Sequence, residues 1–251
     1  MIPFPVIHAV TDSAALLIPG FLTRAGAVMR ALGPRGALQL RTSRLSGRAF
    51  HDIAEKLAEL QAETGCWLIV NDRVDVARAV GARGVQLASH SLRISEARLV
   101  APEMPLGISI HSVEEARTAE ADGAAWCVAG TVFETPSHHG RTPARITFIE
   151  EVVAAIRIPV IAIGGIKPDD VSALRSVGAH GVATIRGAGW ELGTGASPAA
   201  AIPLETSAVP ASPDGSGEPV TRYISAYDAD DGSGRNHHPD GERSTAGRIP
   251  R

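Results

Sequence analysis

Two glycine-rich turns carry the clearest chemical signal in this 251-residue chain. The run IPVIAIGGIKPDD, Ile158 to Asp170, passes from an apolar strand into Gly164-Gly165 and then into a helix opening near Pro168. Glycine lets backbone N–H groups approach an anion, and a helix N-terminus adds a favourable dipole. The next apolar run ends in a similar turn, at Arg186-Gly187. The pair predicts a phosphate site at Gly164, Gly165, Arg186 and Gly187. The alternative is that these glycines only make tight turns.

Other polar residues fall just after apolar runs. They are Gln39 with Arg41, Asn71-Asp72, Ser109 with His111, and the stretch from Gly130 to His139. That stretch holds Thr131, Thr135, Ser137, His138 and His139. Histidine is the commonest acid–base residue, so His138 or His139 is a candidate general base, with surface-loop histidines as the alternative. A threonine such as Thr131 needs a neighbouring base before it can act. Asp72 suits a hard cation or a ligand ring nitrogen, and equally the cap of the helix opening near Val74. His8 and His111 lie on strands or at their ends, where a hydrogen-bonded structural histidine is at least as good a reading. Cys127 sits in an apolar strand and reads as a buried small hydrophobe.

The elements that must position these groups alternate regularly. Apolar, β-branched runs at Val6–Val10, Ala37–Leu40, Trp67–Val70, Gly84–Leu87, Leu106–Ile110, Ala125–Ala129, Val160–Ile163 and Gly181–Ile185 read as strands buried on both faces. Between them, helical spacing recurs at Phe21–Leu32, Gly47–Thr64, Val74–Val80, Ile94–Val100, Val113–Ala121, Ile146–Ile156 and Pro168–Val177. Ser112 with Glu115 is a capping-box start. Eight strands with interleaved helices predict an α/β protein, a (β/α)₈ barrel, with an open doubly wound sheet as the alternative. In a barrel the site lies where strands end, which is where the polar residues fall. The barrel is expected to span residues 1–228. A loop insertion at about 193–217 precedes a last helix at Glu218–Asp228, and a polar, glycine-rich tail at 229–251 is expected to be disordered. His237 and His238 in that tail lack neighbouring ligands at metal spacing.

Composition excludes several classes. Charge is balanced, 24 basic against 27 acidic residues for a net of −3, which argues against a nucleic-acid footprint. Two cysteines, Cys66 and Cys127, make no disulfide framework and suggest a reducing compartment. No apolar run approaches the ~20 residues of a membrane span, and the start lacks the pattern of a signal peptide. The expectation is a cytoplasmic enzyme acting on a small molecule.

NDRVDVARAVGARGVQL, then GISIHSVEEA, AGTVFETPSHHG and IPVIAIGGIKPDD, in that order, resemble the thiamin phosphate synthase/TenI family from about His8 to Trp190. The resemblance implies a (β/α)₈ barrel, thiamin biosynthesis and binding of a thiazole phosphate through Gln39, Arg41, Asn71, Ser109, Thr135, Ser137 and the two glycine turns. The family has two branches. Its synthase branch joins a hydroxymethylpyrimidine pyrophosphate to thiazole phosphate with Mg²⁺. By the resemblance, Asp72 matches the first metal aspartate, but Ser91 stands in place of the second. Gln39 and Arg41 match the pyrophosphate grip, but its lysine is Ser43, with Arg44 a substitute of different geometry. The lysine of a later loop is His138. The TenI branch aromatises a carboxythiazole phosphate by moving a proton, without metal. VQLASHSL and GTVFET resemble it more closely, although its histidine after the sixth strand is Thr131 here. The preferred expectation is a TenI-like tautomerase with no cofactor. The alternatives are a divergent synthase with Mg²⁺ at Asp72, or a non-catalytic thiazole-phosphate binder or regulator. The resemblance also suggests a homo-oligomer.

Overall fold

The strands close on themselves. In a computed structural model, which describes residues 4–134, 144–190 and 218–229, eight parallel strands pair in chain order, β1 with β2 and so on to β8, which pairs back with β1. They are β1 Ile7–Val10, β2 Gly36–Leu40, β3 Trp67–Asn71, β4 Gly84–Leu87, β5 Leu106–Ile110, β6 Trp126–Gly130, β7 Val160–Ile163 and β8 Gly181–Thr184. The helices described between and after them are α1 Phe21–Leu32, α2 Gly47–Thr64, α3 Val74–Val80, α4 Ile94–Val100, α5 Val113–Ala121, α6 Arg145–Ala155, α7 Val171–Ser176 and α8 Glu218–Ala229. This is the (β/α)₈ barrel that the alternation predicts. The insertion at 193–217 and the tail from 230 onward lie outside the described residues.

Local chemistry explains the boundaries. Ser46 and Ser112 accept N–H groups in the first turns of α2 and α5. Gly65 and Gly81 end α2 and α3 in the left-handed conformation. The helix expected over Pro168–Val177 is two pieces, a 3₁₀ turn at Pro168–Asp170 followed by α7. Asp170 Oδ2 accepts the Lys167 N–H at 2.8 Å, which fixes the chain just ahead of Pro168. No described helix is long and apolar enough to cross a membrane.

Two packing layers result. The outer one lies between strands and helices and includes Leu38, Leu40, Ile53, Leu57, Leu68 and Met29, all essentially inaccessible. The inner one fills the barrel with Val10, Ala37, Ile69, Trp126, Val128, Ile161 and Ala183. At the N-terminal ends of the strands, Phe4 plugs the barrel. Its ring centroid lies 5.0 Å from Trp126, 5.4 Å from His180, and 5.7 Å from both His8 and Trp67.

His8 is fully buried beneath this plug. Its Nε2 donates to the Pro5 carbonyl at 3.3 Å, and its Nδ1 has no partner among the described residues. Burial pushes its pKa from 6.5 down to about 4; the Pro5 hydrogen bond opposes this and nearby His180 reinforces it. The unfolded chain therefore binds a proton that the folded one refuses between those two values. The stability from a neutral His8 is fully present above about pH 6.5 and is lost as pH falls through 4. By this linkage, unfolding free energy should drop by about 2 kcal/mol between pH 7 and pH 5 through His8. Urea titrations at the two pH values should show the drop in the wild type and a markedly smaller one in His8→Gln. An equal drop in both would assign the acid sensitivity to other groups.

Candidate active site

The C-terminal ends of the strands form one rim, and those predicted polar residues that are described fall there. On the side of β2 and β3, Gln39 is buried and its Nε2 donates to Asn71 Oδ1. Asn71 Nδ2 donates to Asp72 Oδ2 at 3.0 Å, and Asp72 Oδ1 accepts the Ala88 N–H at 2.8 Å. Asp72 holds a left-handed backbone, φ 58°, which aspartate tolerates better than most residues. Its carboxylate thus braces the end of β3 against the loop after β4. It does not cap α3, whose first turn begins after Arg73. Gln39 Oε1 is buried with no partner among the described residues, which leaves an acceptor beneath the rim for a ligand donor.

Beside this chain lies a cleft of about 480 Å³ lined by Asp12, Ser13, Arg41, Arg44, Asp72 and His90, among others. The Arg41 backbone is held by Thr11, whose Oγ1 accepts its N–H at 2.8 Å and donates to its carbonyl at 2.9 Å. The guanidinium groups of Arg41 and Arg44 are exposed. Asp12 is occupied by the N–H groups of Ala14 and Ala15. Two arginines with the hydroxyls of Ser13, Thr42 and Ser43 make an anion-favouring cleft.

Across the barrel, Trp126 Nε1 donates to Gln86 Oε1 at 2.7 Å, and Gln86 Nε2 donates to Ser109 Oγ at 3.2 Å. Ser109 thus accepts from within the barrel and keeps its own proton to donate. Two residues on, His111 is fixed twice. Its N–H donates to Glu115 Oε2 at 2.6 Å, and its Nδ1 lies 2.7 Å from the Gly130 carbonyl. A carbonyl only accepts, so Nδ1 carries the proton and Nε2 has no hydrogen bond among the described residues. His111 is exposed and adjoins the start of the loop bearing Thr131.

The β6 and β7 loops interlock. Val132 and Phe133 N–H groups donate to the Ile163 and Gly164 carbonyls at 3.0 and 2.9 Å. Gly164 and Gly165 have φ 108° and 65°. A Cβ at Gly164 would lie 2.5 Å from Thr131 Cγ2, and one at Gly165 would lie 2.5 Å from the Glu134 carbonyl. Both glycines are therefore required by conformation and by close approach, beyond any ligand. At the β8 turn, the Gly187 N–H already donates to Thr184 Oγ1 at 3.1 Å. Arg186 is exposed on the same turn. Thr135, Ser137, His138 and His139 lie outside the described residues. His111 is the functional candidate that sequence reasoning placed at a strand end without assigning it a role; its contact with Gly130 spans 19 positions and no local pattern announces it.

The bracing role of Asp72 is testable. Asp72→Ala removes the acceptor of two donors and places alanine at positive φ, so unfolding free energy in urea should fall by about 1–3 kcal/mol. A fall below about 0.5 kcal/mol, within the ordinary range for surface substitutions, would show that the strand ends are held by other contacts.

The model of a family described as thiamine monophosphate synthase matches residues 8–188. A thiamine-phosphate synthase of Roseiflexus castenholzii is 35% identical over 190 residues, 73% of this chain and 82% of its own length. One of Pyrococcus abyssi is 38% identical over 153 residues, 61% of this chain and 74% of its own. The solved structure of a thiamine phosphate pyrophosphorylase from Pyrococcus furiosus superposes with a TM-score of 0.70 at 28% identity, covering 89% of this chain and 96% of that one.

Proposed function

The chain belongs to the thiamine monophosphate synthase/TenI family of thiamin-biosynthesis enzymes, and from that membership we propose that it is a metal-free thiazole tautomerase of the TenI type. The observation that carries this reading is His111, exposed at the rim with Nδ1–H committed to the Gly130 carbonyl. A neutral imidazole in that tautomer offers the Nε2 lone pair as a base, and the Gly130 carbonyl holds the ring in place. On a carboxythiazole phosphate, Nε2 takes a ring proton and returns it at the other end of the conjugated system. Atoms and electrons balance within the substrate, so neither oxidant nor leaving group is involved. Gly164, Gly165 and Arg186 hold the phosphate in this reading, with Gly187 shaping the turn. Ser109 donates to the ring or its carboxylate. Thr131, beside His111 and Gly164, shapes the wall.

A Mg²⁺-dependent synthase is the second reading, favoured by the Arg41–Arg44 cleft and by the names of the relatives. The donor set fits that metal poorly. The Asp72 carboxylate already accepts two hydrogen bonds, and the position that would supply a second carboxylate on the next loop is the neutral Ser91. Among the described residues no three His, Cys, Asp or Glu side chains converge. Mg²⁺ asks for carboxylate oxygens to offset its charge.

The two readings separate in one set of assays. Purified protein is given carboxythiazole phosphate in EDTA, and in parallel thiazole phosphate with hydroxymethylpyrimidine pyrophosphate and Mg²⁺. The expected outcome is isomerisation that survives chelation and falls about 10²–10⁴-fold in His111→Gln. Chelator-sensitive formation of thiamin phosphate, unaffected by His111→Gln, would replace the tautomerase by the synthase.

A further inference from the structure

We propose that Tyr223, on the last helix, is a positioning residue that ties the two glycine turns into a single phosphate cradle; this rests on reading those turns as the phosphate site. The Tyr223 hydroxyl donates to the Ile166 carbonyl at 2.9 Å, just after Gly164-Gly165. With its one proton spent there, it accepts from Thr184 Oγ1 at 3.5 Å. Thr184 Oγ1 in turn accepts the Gly187 N–H at 3.1 Å. One relay therefore runs from the β8 turn through Thr184 and Tyr223 to the β7 loop.

The relay is enclosed. Thr184 and Tyr223 are both buried. A Cβ at Gly187 would lie 2.1 Å from Tyr223 Oη and 2.7 Å from Thr184 Oγ1, so the turn admits only glycine while the tyrosine is present. Burial and nearby Asp170 push the phenol pKa up, with Thr184 opposing, so the group stays a donor at neutral pH. Neither hydroxyl is available to a ligand, so their effect on one passes through the backbone of the turns. A preorganised pair of turns binds an anion without first ordering two loops.

The helix α8 has anchors besides the Tyr223 hydroxyl. Arg35 pairs with Asp228 at 2.6 Å, the Arg175 guanidinium stacks 3.9 Å over the Tyr227 ring and donates to the Tyr227 carbonyl, and Tyr227 Oη donates to the His180 carbonyl at 3.2 Å. Val220 is fully buried on the same helix. Tyr223→Phe keeps the ring, and the helix keeps these other anchors.

The test compares thiazole phosphate with its unphosphorylated alcohol by calorimetric titration, with amide NMR of the wild type to locate the phosphate. Gly164 and Gly165 amide signals that move with the phosphate but not with the alcohol are the expected first result. Tyr223→Phe should then weaken the phosphorylated ligand about 5- to 30-fold and leave the alcohol unchanged, the loss of a buried hydrogen bond read as affinity. Thr184→Ala should do the same, and Thr184→Ser, which keeps the hydroxyl, should restore binding. A purely structural role would weaken both ligands or neither. Unchanged selectivity for the phosphate in both Tyr223→Phe and Thr184→Ala, with the glycine signals still moving, would overturn the positioning role alone. Glycine signals that do not respond would overturn the phosphate assignment and the proposal with it.

Discussion

Trp126 fills the barrel interior, and its indole leaves no room for side chains on the neighbouring strands. A Cβ at Gly107 would lie 2.0 Å from its ring, and one at Gly84 would lie 2.9 Å away. A closed ring of four- and five-residue strands needs such a filling, because a void inside it would forfeit contacts on every wall. The same residue carries a buried N–H that must find an acceptor, and Gln86 supplies it. Gln86 then turns its amide to Ser109. The interior packing thereby sets the orientation of a hydroxyl near the rim, and volume and polarity are satisfied by one chain of contacts.

Much of this architecture is written locally. The helices Phe21–Leu32, Gly47–Thr64, Val74–Val80 and Val113–Ala121 begin and end where caps, glycines and apolar spacing say they should. Strand ends differ by a residue, as at Asn71 and Gly130, because polar or glycine residues extend the pairing beyond the apolar run. Pro168 reads as helical from sequence but opens a 3₁₀ turn, since the Asp170 carboxylate reaches back to the Lys167 N–H and tightens that turn.

The site was legible in its parts and not in its connections. Strand-end logic gathers Gln39, Arg41, Asn71, Asp72 and Ser109 on one rim, and the structure joins Gln39, Asn71 and Asp72 in a hydrogen-bonded chain while Ser109 bonds to Gln86. Their individual roles depend on partners far along the chain. Asp72 reads as a cap or a ligand until Ala88, 16 residues on, claims its oxygen. Glu115 reads as half of a capping box with Ser112, yet its carboxylate takes the His111 N–H and so aims the histidine. The glycines of the β7 turn signal an anion site, while their contacts with Thr131 and Glu134 show that steric demand alone would also select them.

Trp190 is buried, and its indole N–H donates to the Val10 carbonyl at 2.8 Å. At residue 218 the chain enters α8, which is moored by the Arg35 and Arg175 contacts. The span 191–217 thus runs between two endpoints that the barrel fixes independently of each other. Joining two fixed points by a chain costs closure entropy that grows only with the logarithm of the number of residues between them, about 0.6 kcal/mol for each doubling. By that scaling, the number of residues joining Trp190 to α8 weighs little on stability. The barrel therefore sets where this connection must start and finish, and leaves the number of residues between almost unconstrained by closure.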